Sequence, residues 1–202
     1  MRPVGYIIYT PTTPVTGPLE ERGMAYTYVL AGNGLFLEAE NALLRARILI
    51  APAQVRGLPA LVPYLELRHG LIPGYLMDLV VSACGATPDR EVYAAIAWDG
   101  QDYRVVVPPQ EGSGGHVDYE VVPNTVVGIH SHGSMGAFFS GTDTRDDQGF
   151  IVSVVLGELG HLVPQARARL CLYGYFAPVK LNEVFSGPVS LMEEMVDDLP
   201  SG

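Results

Sequence analysis

The chain has 202 residues, 48% of them hydrophobic, and a formal net charge of −10. That length allows one domain, or one domain with a substantial appendage, and the apolar content excludes disorder for most of it. The acidic balance argues against nucleic acid or an anionic membrane as a general partner and is read as a source of solubility. Residues 1–23 are rich in Pro, Thr and Gly around an apolar patch at 4–9, which predicts an edge strand followed by an irregular loop. Strands are expected at 26–37 and 42–50, with Gly32-Asn33-Gly34 and residues 38–41 as breaks, and another at 61–67. Residues 1–70 thus read as a β-rich region of unassigned role.

Pro73 suits the first turn of a helix, residues 75–84 carry apolar positions at near-helical spacing, and Gly85 is a stop. Thr87-Pro88-Asp89 turns the chain into an apolar strand at 91–97, and Asp99-Gly100 leads into another at 103–107. Residues 108–116 form a Gly-rich loop, 117–122 a further strand, and 125–129 a buried strand ending at His130. Beyond it, 150–156 and 167–176 read as strands, and 190–196 as a short amphipathic helix before an acidic tail. One helix followed by a mixed run of strands predicts an α+β, α-β-α-like fold. The predicted organisation is 1–70 as the β-rich region, 71–185 as the main domain and 186–202 as a helix and tail.

No apolar run approaches the ~20 residues that span a bilayer, and no N-terminal stretch joins a basic start to an apolar core, so a cytoplasmic location is expected. Cys84 and Cys171 lie far apart and outside any C-x-x-C pattern, and read as two reduced, buried thiols.

His130-Ser131-His132 closes the apolar run 125–129, and after seven intervening residues comes Ser140-Gly141-Thr142-Asp143. Alternate side chains of a strand share a face, so His130 and His132 can grip one metal ion, with Asp143 as an oxygen ligand from the following loop. Two imidazoles and a carboxylate leave the fourth position of a tetrahedral zinc open, the catalytic arrangement. Taken singly, the pair could be two ordinary polar residues, and Ser140 to Asp143 a helix N-cap. Together they resemble the signature of the JAMM (JAB, MPN-plus) zinc metalloproteases, over residues 73–179; within that family, 129–149 resembles the bacterial PRTRC-system members. The resemblance implies a curved sheet flanked by helices and zinc-dependent peptidase or isopeptidase activity on a bond after the tail of a ubiquitin-like protein. It also implies an E1-like, ThiF-related protein as a further partner, encoded with the PRTRC members.

The family places its general base at the start of a strand after the first helix, where this chain has Glu91; the alternative, Glu66, precedes the helix and has Arg68 as an easy surface partner. The resemblance then assigns Glu91 the proton transfer and Ser140 a hydrogen bond to the developing oxyanion, a contact worth ~2.7–4 kcal/mol. Asp146 and Asp147 read as solvated turn charges, and His69, His116 and His161 as surface residues. Gly133 and Phe139 stand where many family members have proline, which predicts a more mobile or differently shaped 133–139 loop. Two other readings remain: a non-catalytic MPN-type scaffold that keeps its metal site, and a zinc hydrolase of small amide conjugates.

Overall fold

Aromatic and β-branched residues at alternating positions build the first unit of the chain, Met1–Gly70; the second is Leu71–Gly202. The structure, a computed structural model, describes residues 3–12, 22–88, 90–113, 116–187, 189 and 192–195. In the first unit, β1 (Val4–Ile8), β2 (Tyr26–Ala31), β3 (Gly34–Glu40), β4 (Leu44–Pro52) and β5 (Tyr64–Leu67) form one sheet in sequence order. β1 runs parallel to β2 and the rest is an antiparallel meander. Alternation decides the faces: Thr27, Val29 and Ala31 are buried, whereas Tyr26, Tyr28 and Leu30 are half-buried. Ile7, Val29, Ala31, Phe36 and Leu61 make one core. Leu61 is held by Asn33, whose Nδ2 donates to the Leu61 carbonyl and whose Oδ1 accepts from its amide, both at 2.9 Å. Glu38 and Arg47 oppose each other across β3 and β4 as a buried ion pair, and Arg47 also donates to the Val62 carbonyl at 3.3 Å.

The second unit starts with β6 (Ile72–Pro73) and α1 (Gly74–Gly85), whose N-cap is Pro73 with φ −56°. Leu76, Met77, Val80 and Cys84 bury one face of that helix. Next come β7 (Tyr93–Trp98), β8 (Tyr103–Val106), a hairpin of β9 (Gln110–Ser113) and β10 (His116–Tyr119), and β11 (Thr125–Ser131). After them follow α2 (Gly141–Asp146), β12 (Phe150–Gly157), β13 (Gln165–Leu172), β14 (Tyr175–Pro178) and a 3-10 turn at Leu181–Glu183. β15 (Phe185–Ser186) pairs with β6, and β16 (Glu193–Glu194) with β13. The main sheet runs β14-β13-β12-β11-β7-β8. β11 lies inside it, parallel to β12 and antiparallel to β7, so Val126 to Ile129 are all buried and the apolar run is continuous.

The expected α+β arrangement, helices flanking a curved sheet, is overturned. The chain is mostly β, and among the described residues its only α-helices have 12 and 6 residues. Of the two helices read from the sequence, 75–84 forms and the described part of 190–196 does not, while tight turns join strand directly to strand. Asp99 accepts from the amides of Gln101 and Asp102, both at 2.8 Å, and closes the β7–β8 turn. Tyr173 (φ 51°) and Gly174 (φ 88°) split the predicted strand 167–176 into the β13–β14 hairpin. The Gly-rich stretch 108–116 contributes β9 and the start of β10 rather than only loop. The predicted helix 190–196 falls partly outside the described residues; within its described part, 192–195, Glu193–Glu194 is a strand and no helix forms. Cys84 and Cys171 are free and buried. No helix among the described residues is long and apolar enough to cross a membrane.

Candidate metal centre

β11 carries His130 next to its end and His132 directly follows it, on a backbone bound on both sides. The Ser131 amide donates to the Val92 carbonyl at 2.9 Å, and the His132 amide to the Leu156 carbonyl at 2.8 Å. The Ser131 hydroxyl also accepts from the Val92 amide at 3.0 Å. Asp143 comes from the first turn of α2, where Ser140 is the N-cap: Asp143 Oδ2 accepts from the Ser140 amide at 2.5 Å, and Ser140 Oγ accepts from the Asp143 amide at 3.2 Å. The helix-cap reading and the ligand reading therefore coexist in one carboxylate. Asp143 Oδ1 lies 3.1 Å from His130 Nε2, and Oδ2 lies 3.7 Å from His132 Nε2. One ligand atom from each of the three residues falls within 4.8 Å of the others, a group that can hold a metal ion. Bond lengths of about 2.0–2.1 Å put tetrahedral zinc ligands roughly 3.3 Å apart, so modest side-chain shifts complete the set. His130 Nε2 and His132 Nδ1 are buried without a hydrogen-bond partner, a cost that a metal and a bridging contact would relieve.

The electrostatics favour the ligand forms. Burial pushes the His132 imidazole below its ordinary pKa, His130 adds to the shift, and Asp143 and the Gly136 backbone oppose it. Burial alone would raise the Asp143 carboxyl. The short contact and charge of His130, with the hydroxyl and amide of Ser140, overcome it and hold Asp143 well below the usual carboxylate range. At neutral pH the site thus presents a neutral His132 and an ionised Asp143, as metal binding needs.

No protein-family model matches the chain, and no curated protein is significantly similar to it. The remaining predicted residues stand as follows. The β11–β7 register pairs His130 with Tyr93 and the backbone of Ser131 with Val92, so half-buried Glu91 falls level with His132. It is not one of the three residues of the ligand group. Glu66 belongs to the first unit, on β5, where it faces Arg45 at 3.8 Å. Asp147 is no free turn charge: it binds Arg169 at 2.7 Å. His161 is exposed beside Glu158, and His69 is exposed.

Three further features complete the site, of which the sequence reading singled out Gly133 and Phe139 but neither Phe138 nor Arg169. Phe138 packs edge-on against His132 with ring centroids 4.8 Å apart, and Phe139 stands 6.4 Å from His130, so two aromatic rings wall the histidines. Gly133 has φ +59°, and a Cβ there would lie 2.3 Å from the Pro88 carbonyl oxygen. Proline, fixed near φ −65°, cannot make this turn. The loop is also sewn to β12 and its continuation, with the amides of Glu158 and Leu159 donating to the carbonyls of Met135 and Gly133 at 2.7 and 2.9 Å. The third feature is Arg169, whose partners Phe139, Thr144 and Asp147 lie 22 to 30 positions before it while Phe176 lies seven after it, a set that no spacing rule joins.

Proposed function

We propose that the protein is a zinc-dependent peptidase or isopeptidase acting on the bond after the C-terminal tail of a ubiquitin-like protein. The observation that carries this reading is the convergence of His130, His132 and Asp143, with buried imidazole nitrogens lacking other partners. Two imidazoles and one carboxylate suit zinc and leave room for a further ligand. When bound, the ion polarises a carbonyl and lowers the pKa of water from about 15.7 towards about 7. Glu91, level with His132, takes the proton from the attacking water and returns one to the leaving amine. The Ser140 hydroxyl accepts from the Asp143 amide, which leaves its own proton to donate to the developing oxyanion. An E1-like, ThiF-related protein is the further partner that the motif resemblance suggests.

The test uses the zinc-loaded chain and a ubiquitin-like protein fused through its tail to a reporter. Cleavage at the tail by wild type, with Glu91→Gln keeping its metal and losing turnover, is expected. A fusion left intact by wild type, with Glu91→Gln changing nothing, overturns the proposal. Metal content per chain, measured by mass spectrometry on wild type and on His130→Ala/His132→Ala, checks the site itself.

A further inference from the structure

α2 has six residues, none of them buried. A helix this short is not stable alone, because nucleation fixes several dihedrals for the first hydrogen bond. Without a buried apolar face, packing does not fix its height above the sheet either. Yet it carries Asp143, whose oxygens must meet His130 on β11 and His132 just past its end to within a few tenths of an ångström. Something outside the helix has to hold it.

We propose that Arg169 is the positioning residue of the metal centre, setting Asp143 against His130 and His132. This inference rests on the metal-binding reading of that site. Arg169 lies on β13 and is only 6% exposed. Its guanidinium carbon lies over the ring of Phe139, 3.8 Å from the centroid, and over that of Phe176, 4.2 Å from the centroid. Nη1 donates to Thr144 Oγ1 at 3.2 Å, and Nη2 to Asp147 Oδ2 at 2.7 Å. One side chain therefore touches the segment before α2 at Phe139, its body at Thr144 and its C-cap at Asp147. Asp143 is bracketed by these contacts and tied to its own N-cap through Ser140. Nε of Arg169 is buried with no hydrogen-bond partner. Arginine suits the place because a planar fork can stack on aromatic rings while its two terminal nitrogens reach separate acceptors. A lysine ammonium offers a point charge and no plane.

The experiment measures Zn²⁺ affinity by chelator competition and records the visible spectrum of the Co²⁺-loaded protein at saturation. It compares wild type with Arg169→Lys, Arg169→Met and Phe139→Leu. Loss of a group that orients a ligand weakens metal binding by about 10- to 100-fold, and this is expected for both arginine variants, with a smaller loss for Phe139→Leu. The Co²⁺ spectrum should change shape even when every site is filled, which a loss of global stability alone would not cause. If Arg169→Met fails to fold, Arg169→Lys and Phe139→Leu decide. Wild-type affinity within about twofold in the folded variants, with an unaltered Co²⁺ spectrum, overturns the role of Arg169 while leaving the metal site standing. A wild type that binds neither ion overturns both.

Discussion

Alanine at position 133 forces the turn after His132 to absorb two separate penalties. The first is conformational: φ is +59° there, and a side chain in the left-handed region costs about 1–2 kcal/mol. The second is steric, since the new Cβ would lie 2.3 Å from the Pro88 carbonyl oxygen, and reaching ordinary contact means displacing backbone rather than a flexible side chain. Overpacking of this kind costs typically about 1–3 kcal/mol, so Gly133→Ala should destabilise its unit by roughly 2–5 kcal/mol. At about 3–4 °C per kcal/mol, intermediate between the values for smaller and larger domains, the calorimetric transition of the second unit should fall by roughly 6–20 °C in chelator. Zinc affinity should drop as well, because Gly133 adjoins His132 and Pro88 lies three positions before Glu91. Gly133→Pro, which demands φ near −65°, should be at least as harmful. A fall of less than about 2 °C for alanine, or a gain for proline, would refute the argument that this turn is built around a glycine.

Asp143→Asn keeps an acceptor for the Ser140 amide and loses the charge, so zinc per chain should fall well below the wild-type value in a protein that still melts cooperatively. In metal-free protein, His132 has a folded pKa below its ordinary value of about 6.5, so stability present above that pH should decline as pH falls through the lowered value. Asp143, also lowered, adds a loss of the same sign below about 3.9, and denaturant midpoints across pH should show both, with the upper step flatter in His132→Asn. Burial pushes the Cys84 thiol up to about 11, against a smaller opposing contact with Ser131, so iodoacetamide at mildly alkaline pH should spare it in the native protein and modify it in denaturant, as intact mass will show. Arg47→Ala leaves Glu38 with Arg22, 3.4 Å away, as its remaining ion-pair partner, so the cost in urea unfolding should be about 1–3 kcal/mol rather than the ~3–5 kcal/mol of an uncompensated buried charge, and no measurable loss would contradict the buried pairing.

What was legible in the chain depended on how local the determining contacts are. Pro73 and Gly85 mark the ends of α1 by their own backbone chemistry, and the helix runs Gly74–Gly85. His130 and His132 could be set together by strand parity alone, and Asp143 by a fixed spacing, and the structure brings all three together. The fold class was misjudged because flanking helices were expected from the motif resemblance, whereas strands beyond α1 are joined directly by tight turns such as those at Asp99 and Tyr173-Gly174. Tyr173 is aromatic and reads as strand continuation, and only its positive φ reveals the turn. Glu193 and Glu194 favour helices by propensity, yet pairing with Gln165 and Ala166 on β13 decides their state. Arg169 was illegible for a different reason: its meaning lies in Phe139, Thr144, Asp147 and Phe176, which meet only after folding.

The side chain of Gln110 does the work of a missing strand. β8 pairs with β7 from Ala95 to Trp98 and leaves the start of β7 open. There Gln110 Oε1 accepts from the Tyr93 amide at 2.8 Å, and its Nε2 donates to the Tyr93 carbonyl at 3.0 Å. Tyr119, paired with Gln110 across the hairpin, stacks on the Tyr93 ring at 3.6 Å. An open edge of this kind is a template for indiscriminate association with other chains. One amide side chain seals it without extending the ladder, so the β9–β10 hairpin meets the sheet edge here through side chains rather than a shared run of backbone hydrogen bonds. Insertions in the hairpin could therefore lengthen or reshape it while the register of β7 and β11, and with it the level of Glu91 and the histidines, stays where it is.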